Sequence, residues 1–155
     1  MPLEIEHKYL IRRDLWYAIH KPEGTMIRQG YLISGQGKTV RVRTAGTRAF
    51  LTIKGPSVNA TRQEYEYSIP VGEANEILDL FTTKVIEKIR YKIGFAGKIW
   101  EVDEFFGANV GLIIAEIELN SPDETYERPS WLGDDITHDP RYYNSYLAEH
   151  PVSSW

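Results

Sequence analysis

The sequence predicts a mainly β fold of the α+β class, an antiparallel sheet that is curled or closed, with a few helices at its rim. Three observations carry that expectation. Eight segments alternate charged or polar residues with apolar ones at period two. Only one segment repeats its apolar residues at clear helical spacing. The breaks between segments are short and rich in Gly, Pro and Asn, as hairpin turns require.

The first strand is expected over 3–12 and stops at Arg12-Arg13-Asp14. Leu15 to His20 has room for a short helical turn before the loop Lys21-Pro22-Glu23-Gly24. A second strand, 25–34, closes on Gly35-Gln36-Gly37. Strands 38–44 and 48–54 flank Ala45-Gly46-Thr47, a tight hairpin signal. Gly55-Pro56-Ser57 breaks the chain before strand 61–69. Ala74, Ile77, Leu78 and Phe81 then form the apolar face of a helix over 73–81. Strands follow at 85–93, 98–105 and 112–119, with turns at Gly94-Phe95-Ala96-Gly97 and Gly107-Ala108-Asn109. The tail reads as loop and short helix, Asp139-Pro140 opening a helix toward Leu147.

A length of 155 residues with 42% hydrophobic and 26% charged content fits one domain, 1–155, with a real core. No internal repeat or long linker divides it. The absence of cysteine excludes disulfides, thiolate metal sites and a cysteine nucleophile, and suits the cytoplasm. A net charge of −4 and a pI near 5.6 lack the basic surplus of a general nucleic-acid binder, so no nucleic-acid partner is expected. No apolar run reaches membrane-spanning length and no signal-peptide pattern opens the chain, so no membrane partner is expected either.

The charges are ordered rather than scattered. On the first strand Glu4, Glu6 and Lys8 share one face, with Ile5 and His7 on the other. The same parity pairs Arg41 with Arg43, Glu64 with Glu66, Lys88 with Arg90, Glu101 with Asp103, and Glu116 with Glu118, and sets Lys54 opposite Leu51 and Ile53. Arg62, Lys92 and Glu101 fall on the same faces, where structural ion pairing is the expected role. For any single strand, an apolar face turned inward and a charged face in water is an adequate account. It explains the set less well, because like charges recur as i, i+2 pairs on strand after strand. If the sheet closes with its charged face inside, the interior cannot be a dry core, since burying unpaired charge is prohibitive. It must be a solvated tunnel for a polyanion and a divalent metal. Arginine would bind phosphate oxygens in bidentate fashion, and carboxylates would hold a hard cation, Mg²⁺ or Mn²⁺.

Other features carry less. His7 is expected to pack or lie at the surface, and His20, His138 and His150 have no metal-ligand spacing. Gly35-Gln36-Gly37-Lys38-Thr39 lacks phosphate-loop spacing. Ser153-Ser154 has no acid–base partner pattern, and Trp16, Trp100, Trp131 and Trp155 read as core, rim or interface.

Glu4-Ile5-Glu6-His7-Lys8 resembles the ExExK signature of the CYTH superfamily, the triphosphate tunnel metalloenzymes. The resemblance continues in order through Gln29-Gly30-Tyr31, Arg41-Val42-Arg43, Lys54-Gly55, Glu64-Tyr65-Glu66, Lys88-Ile89-Arg90, Val102-Asp103 and Glu116-Ile117-Glu118. The tail Asp139-Pro140-Arg141-Tyr142-Tyr143-Asn144 resembles that of short bacterial inorganic triphosphatases. The resemblance implies an eight-stranded antiparallel closed β-barrel, a tunnel with a polar charged interior and a few flanking helices. By the same resemblance Lys8, Arg41, Arg43, Lys54, Lys88 and Arg90 would grip triphosphate. Glu4, Glu6, Glu116 and Glu118 would hold metal, with Asp103, Glu64 and Glu66 as further candidates. Lys54 and Tyr31 would stand where some members carry a lysine–tyrosine base, and Tyr31 reads equally as a wall residue. Tyr142-Tyr143 would pack over one tunnel mouth, and a homodimer fits by analogy. The expected activity is metal-dependent hydrolysis of inorganic triphosphate. The rivals are a class IV adenylate cyclase, a thiamine triphosphatase, and a non-catalytic polyphosphate- or nucleotide-binding module.

Overall fold

The structure is a computed structural model that describes residues 2–155. Eight antiparallel strands form it: β1 (Leu3–Ile11), β2 (Thr25–Gly35), β3 (Lys38–Ala45), β4 (Arg48–Lys54), β5 (Thr61–Ile69), β6 (Val85–Phe95), β7 (Lys98–Phe105) and β8 (Ile113–Glu118). Their hydrogen-bonded order is β5-β4-β3-β2-β6-β7-β8-β1. The first half of β1 also pairs with β5, Glu4 opposite Arg62, and this closes the barrel. Closure leaves no long unpaired edge. Two hairpins turn through Gln36–Gly37 and Ala96–Gly97, all four residues at positive φ, the geometry that matches strand twist.

The parity expected from the sequence holds, and it produces an unusual division of the core. The outward faces of β1, β7 and β8 carry Ile5, Tyr9, Trp100, Val102, Ala115 and Ile117. Helix α1 (Arg13–Ala18) and residues 126–132 cover them with Trp16, Tyr126 and Trp131. Trp16, Trp100 and Trp131 meet edge to face at centroid distances of 5.4–6.0 Å. His7 reaches the same layer, its Nδ1 2.6 Å from the Tyr126 hydroxyl. Helix α2 (Val71–Phe81) covers the outside of β3 and β4, burying Ala74 and Leu78 against Val42 and Ala49. Its Ile77 is partly buried, whereas Phe81, the last residue of the helix and expected on the apolar face, is exposed. Gly30 is required where α2 closes on β2, since a Cβ there would lie 2.9 Å from Thr82.

A third apolar cluster lies inside the barrel. Leu10, Ile86, Phe105 and Ile114 continue the inward faces of β1, β6, β7 and β8 beyond their last charged residues. Leu147 of α3 (Asn144–Glu149) seals that end, with Tyr142, Ala148 and Val152 around it. The tail is therefore a plug at one end of the barrel. The helix expected from Asp139-Pro140 begins as a 3-10 turn, Pro140–Tyr142, and breaks at extended Tyr143 before α3. A short strand not expected from the sequence, β9 (Leu132–Asp135), pairs with the second half of β1, on the flank of the barrel. Among the described residues no helix is long and apolar enough to cross a membrane.

Candidate active site: a charge-divided tunnel

The barrel encloses a cavity of about 490 Å³. Every candidate site residue named from the sequence lines it except Asp103, which is buried on the inward face of β7 beneath Lys88 and Arg90. Strand order gives the cavity a property that no single strand reveals. Carboxylates occupy one continuous arc: Glu101 on β7, Glu116 and Glu118 on β8, Glu4 and Glu6 on β1, Glu64 and Glu66 on β5. Cations occupy the opposite arc: Arg48 and Lys54 on β4, Arg41 and Arg43 on β3, Lys88, Arg90 and Lys92 on β6. Lys8 on β1 and Arg62 on β5 are the exceptions, each an isolated cation within the acidic arc.

Where the arcs meet, they are stitched by ion pairs. Lys54 Nζ lies 2.9 Å from Glu4 Oε1 and 3.2 Å from Glu64 Oε2. Lys8 Nζ is 3.5 Å from Glu6 and 3.7 Å from Glu116. Arg90 bonds Asp103 through Nε and Nη2 at 2.7 and 2.9 Å, and Lys88 Nζ reaches the same carboxylate at 2.7 Å. Asp103 thus serves two buried cations, which cover it on the cavity side. Arg41 Nη2 donates to Thr52 Oγ1, which donates to Glu66. Arg41 Nε is buried with no hydrogen-bond partner among the described residues. A buried charged donor left unpaired is costly, and a phosphate oxygen would satisfy it.

The titration behaviour follows this division. Burial opposes ionisation of Asp103 and Glu116, but Arg90 with Lys88 for the first, and Lys8 with Arg90 for the second, hold both carboxyls low. Glu6 has no such support. Burial and the neighbouring Glu116 charge push it up to about 7 despite Lys8. Burial likewise raises Glu4 and Glu118. On the basic arc, burial and the adjacent Arg41 and Arg90 charges push Arg43 down, and burial with Arg90 and Arg43 pulls Lys88 down against the attraction of Asp103. Burial is the largest cause of the shifts at Glu6, Arg43 and Lys88, and like-charged neighbours add to it.

Among the described residues no three Asp, Glu or His side chains converge as a preformed metal centre. Glu4, Glu6 and Glu116 are turned to lysines and an arginine instead. The donor set is nonetheless all carboxylate oxygen with unbalanced negative charge, which fits a hard divalent ion. The lysine–tyrosine pairing is not formed by a direct bond among the described contacts. Lys54 is held by Glu4 and Glu64, while the Tyr31 hydroxyl accepts from Gln29 Nε2 at 3.1 Å. Arg62, expected as an ion-pairing residue, instead donates to the carbonyls of Gly55 and Gly37. Glu101 does pair, with Arg90 at 3.3 Å.

Three residues of this site, Thr52, Gln29 and Asn144, had no role expected from the sequence, whereas Tyr143, expected over one tunnel mouth, lines the cavity. Thr52 and Gln29 are uncharged and fully buried, so the charge pattern passes over them. Tyr143 and Asn144 come from the tail: Lys8 Nζ sits 5.3 Å over the Tyr143 ring, and Lys88 donates to Asn144 Oδ1 at 2.9 Å. Period two places Gln29 and Thr52 on the inward faces, whereas the tail residues are announced by the tail motif and not by strand parity.

A closed antiparallel barrel whose interior divides into a cationic and an anionic arc defines a tunnel protein for polyanions and their metal ions. Residues 2–143 match the CYTH domain, and the chain belongs to that family. It is 48% identical over 156 residues to an inorganic triphosphatase of Acetivibrio thermocellus, an alignment covering 100% of this chain and 99% of that protein. An inorganic triphosphatase of Nitrosomonas europaea is 33% identical over 149 residues, 94% and 96% of the two chains. Among solved structures, a crystal structure of an inorganic triphosphatase superposes with a TM-score of 0.66 at 32% identity, covering 96% of this chain and 95% of that one.

Proposed function

We propose that this chain is a phosphoanhydride hydrolase that cleaves inorganic triphosphate to pyrophosphate and phosphate with the help of Mg²⁺ or Mn²⁺, acting in the cytoplasm. The observation that carries the reading is the cationic arc with its unpaired Arg41 Nε, facing an arc of carboxylates across one cavity. The two relatives named as inorganic triphosphatases support it.

Arg41, Arg43, Lys54, Lys88, Arg90 and Lys8 are assigned to the phosphate chain. Their fixed charges lie where negative charge must be held as the terminal phosphoryl group leaves. Lys88 is wholly buried, so its part is to set the field and hold Asn144 more than to grip oxygen directly. Glu4, Glu6, Glu116 and Glu118 are assigned to metal, with Glu64 and Glu66 as neighbouring carboxylates. Their side chains must turn from Lys54 and Lys8 to do so. A bound divalent ion supplies charge neutralisation on the phosphate and lowers the pKa of water. Asp103 is assigned to anchoring Lys88 and Arg90 rather than to metal. Lys54 and Tyr31 are assigned to proton handling. The Lys54 ammonium is released toward the phosphate chain as Glu4 turns to metal, and the Tyr31 hydroxyl, already accepting from Gln29, keeps its own proton to donate to a phosphate oxygen.

A substrate panel tests this reading. Inorganic triphosphate, ATP and thiamine triphosphate are offered with Mg²⁺, Mn²⁺ or EDTA, and phosphate and cyclic AMP are both measured. The proposal predicts fastest release from inorganic triphosphate, none with EDTA, and no cyclic AMP. Faster thiamine triphosphate turnover or cyclic AMP formation would replace it with the corresponding rival.

A further inference from the structure

Gln29 is the one amide side chain that is completely buried in the barrel wall, and it does not line the cavity. Its hydrogen bonds fix its orientation without ambiguity. Arg43 Nε can only donate, and it lies 2.9 Å from Gln29 Oε1. Nε2 must then be the donor end, and it reaches two acceptors, the Tyr31 hydroxyl at 3.1 Å and Asn144 Oδ1 at 3.4 Å. Asn144 Oδ1 in turn accepts from Lys88 at 2.9 Å. One buried amide therefore touches a guanidinium on β3, a hydroxyl on β2 and the start of α3, and through α3 an ammonium on β6.

An arginine fixed through Nε keeps its Nη edge available. Gln29 stands directly across the β2–β3 register from Arg43 and holds its Nε, so the edge left available is the one formed by the two Nη atoms. Without that anchor the guanidinium, repelled by Arg41 and Arg90, has no reason to keep its direction.

We propose that Gln29 is a positioning residue, which aims Arg43 and Tyr31 at the substrate and ties both to the Asn144–Lys88 contact. This rests on the assignment of the cavity to triphosphate only for its kinetic consequence, not for the anchoring itself.

The test uses ¹⁵N NMR of the full chain together with kinetics. The wild type should show a slowly exchanging Arg43 Nε–H, assigned by its loss in Arg43→Lys. Gln29→Met should lose that protected signal while the fold, read by circular dichroism, persists. Its KM for inorganic triphosphate should rise about tenfold, the scale of one lost hydrogen bond to a charged group. Adding Arg43→Lys to Gln29→Met should raise KM no further than Arg43→Lys alone. If Gln29→Met fails to fold, Gln29→Glu decides, because its carboxylate still accepts from Arg43 Nε and should keep the signal protected. An Arg43 Nε–H that exchanges freely in the wild type, that survives in Gln29→Met, or that is lost in a folded Gln29→Glu overturns the proposal. So do KM effects that multiply. The NMR signal needs no turnover, so a chain that fails to hydrolyse triphosphate would refute the assigned reaction without touching this result.

Discussion

Arg90 holds Asp103 by two parallel bonds, Nε to Oδ1 at 2.7 Å and Nη2 to Oδ2 at 2.9 Å, directly across the β6–β7 register. Lys88 closes on the same carboxylate at 2.7 Å. The aspartate is 1% exposed and carries the counter-charge for two buried cations. Asp103→Asn keeps the shape and removes that charge. It should destabilise the protein by about 3–5 kcal/mol, the cost of an uncompensated buried charge. Urea unfolding at neutral pH measures it. The exposed Lys84–Glu149 pair, 3.0 Å apart, is the contrast, and Lys84→Ala should cost under about 1 kcal/mol.

Arg41→Ala should weaken binding of inorganic triphosphate at least about tenfold, since it removes a charged fork whose Nε is otherwise unpaired. Calorimetric titration with the metal chelated reads this directly. Binding should also lose part of its salt dependence, because one fewer cation contributes.

Glu6 gives the barrel a signed pH response. Its folded pKa of about 7 lies above the ordinary 4.5. Between those values the folded chain holds a proton that the unfolded chain has released, so stability falls as pH rises through the window. Glu6→Gln removes the penalty. In EDTA it should stabilise the protein at pH 8 by on the order of 2 kcal/mol and change little at pH 4, where both states are protonated. A variant less stable than wild type at pH 8 would show that Glu6 is better compensated than its neighbours indicate.

The plug should behave as an ordinary core. Leu147 is fully buried against Ile86, Phe105 and Ile114. Leu147→Ala should cost about 2–5 kcal/mol. Thermal or urea unfolding provides the measurement.

The inward faces were legible in the sequence because side-chain period two survives any arrangement of strands. Glu4, Glu6 and Lys8 would share a face in an open sheet as surely as in this barrel. Strand order was not legible. The pairings of β2 with β6 and of β5 with β1 join segments far apart in the chain, and no local signal specifies them. The division into acidic and basic arcs is a consequence of those two pairings and of the equally distant pairing of β8 with β1, so it appears only in the fold. The tail was legible as a motif that sets Tyr142-Tyr143 over a tunnel mouth, but its contacts were not. Tyr143 and Asn144 are ordinary polar residues in a short irregular segment, and their roles come from Lys8 and Lys88, which the barrel brings to them. Phe81 failed for the opposite reason: its helical spacing was right, but no partner stands opposite it.

The central claim is that the divided tunnel hydrolyses inorganic triphosphate with a divalent ion. A ³¹P NMR time course of inorganic triphosphate with the protein and Mg²⁺ or Mn²⁺ tests it most directly. The account predicts that triphosphate disappears as pyrophosphate and phosphate appear in equal amounts, and that EDTA stops the reaction. Triphosphate left intact by the folded protein with either metal would contradict it.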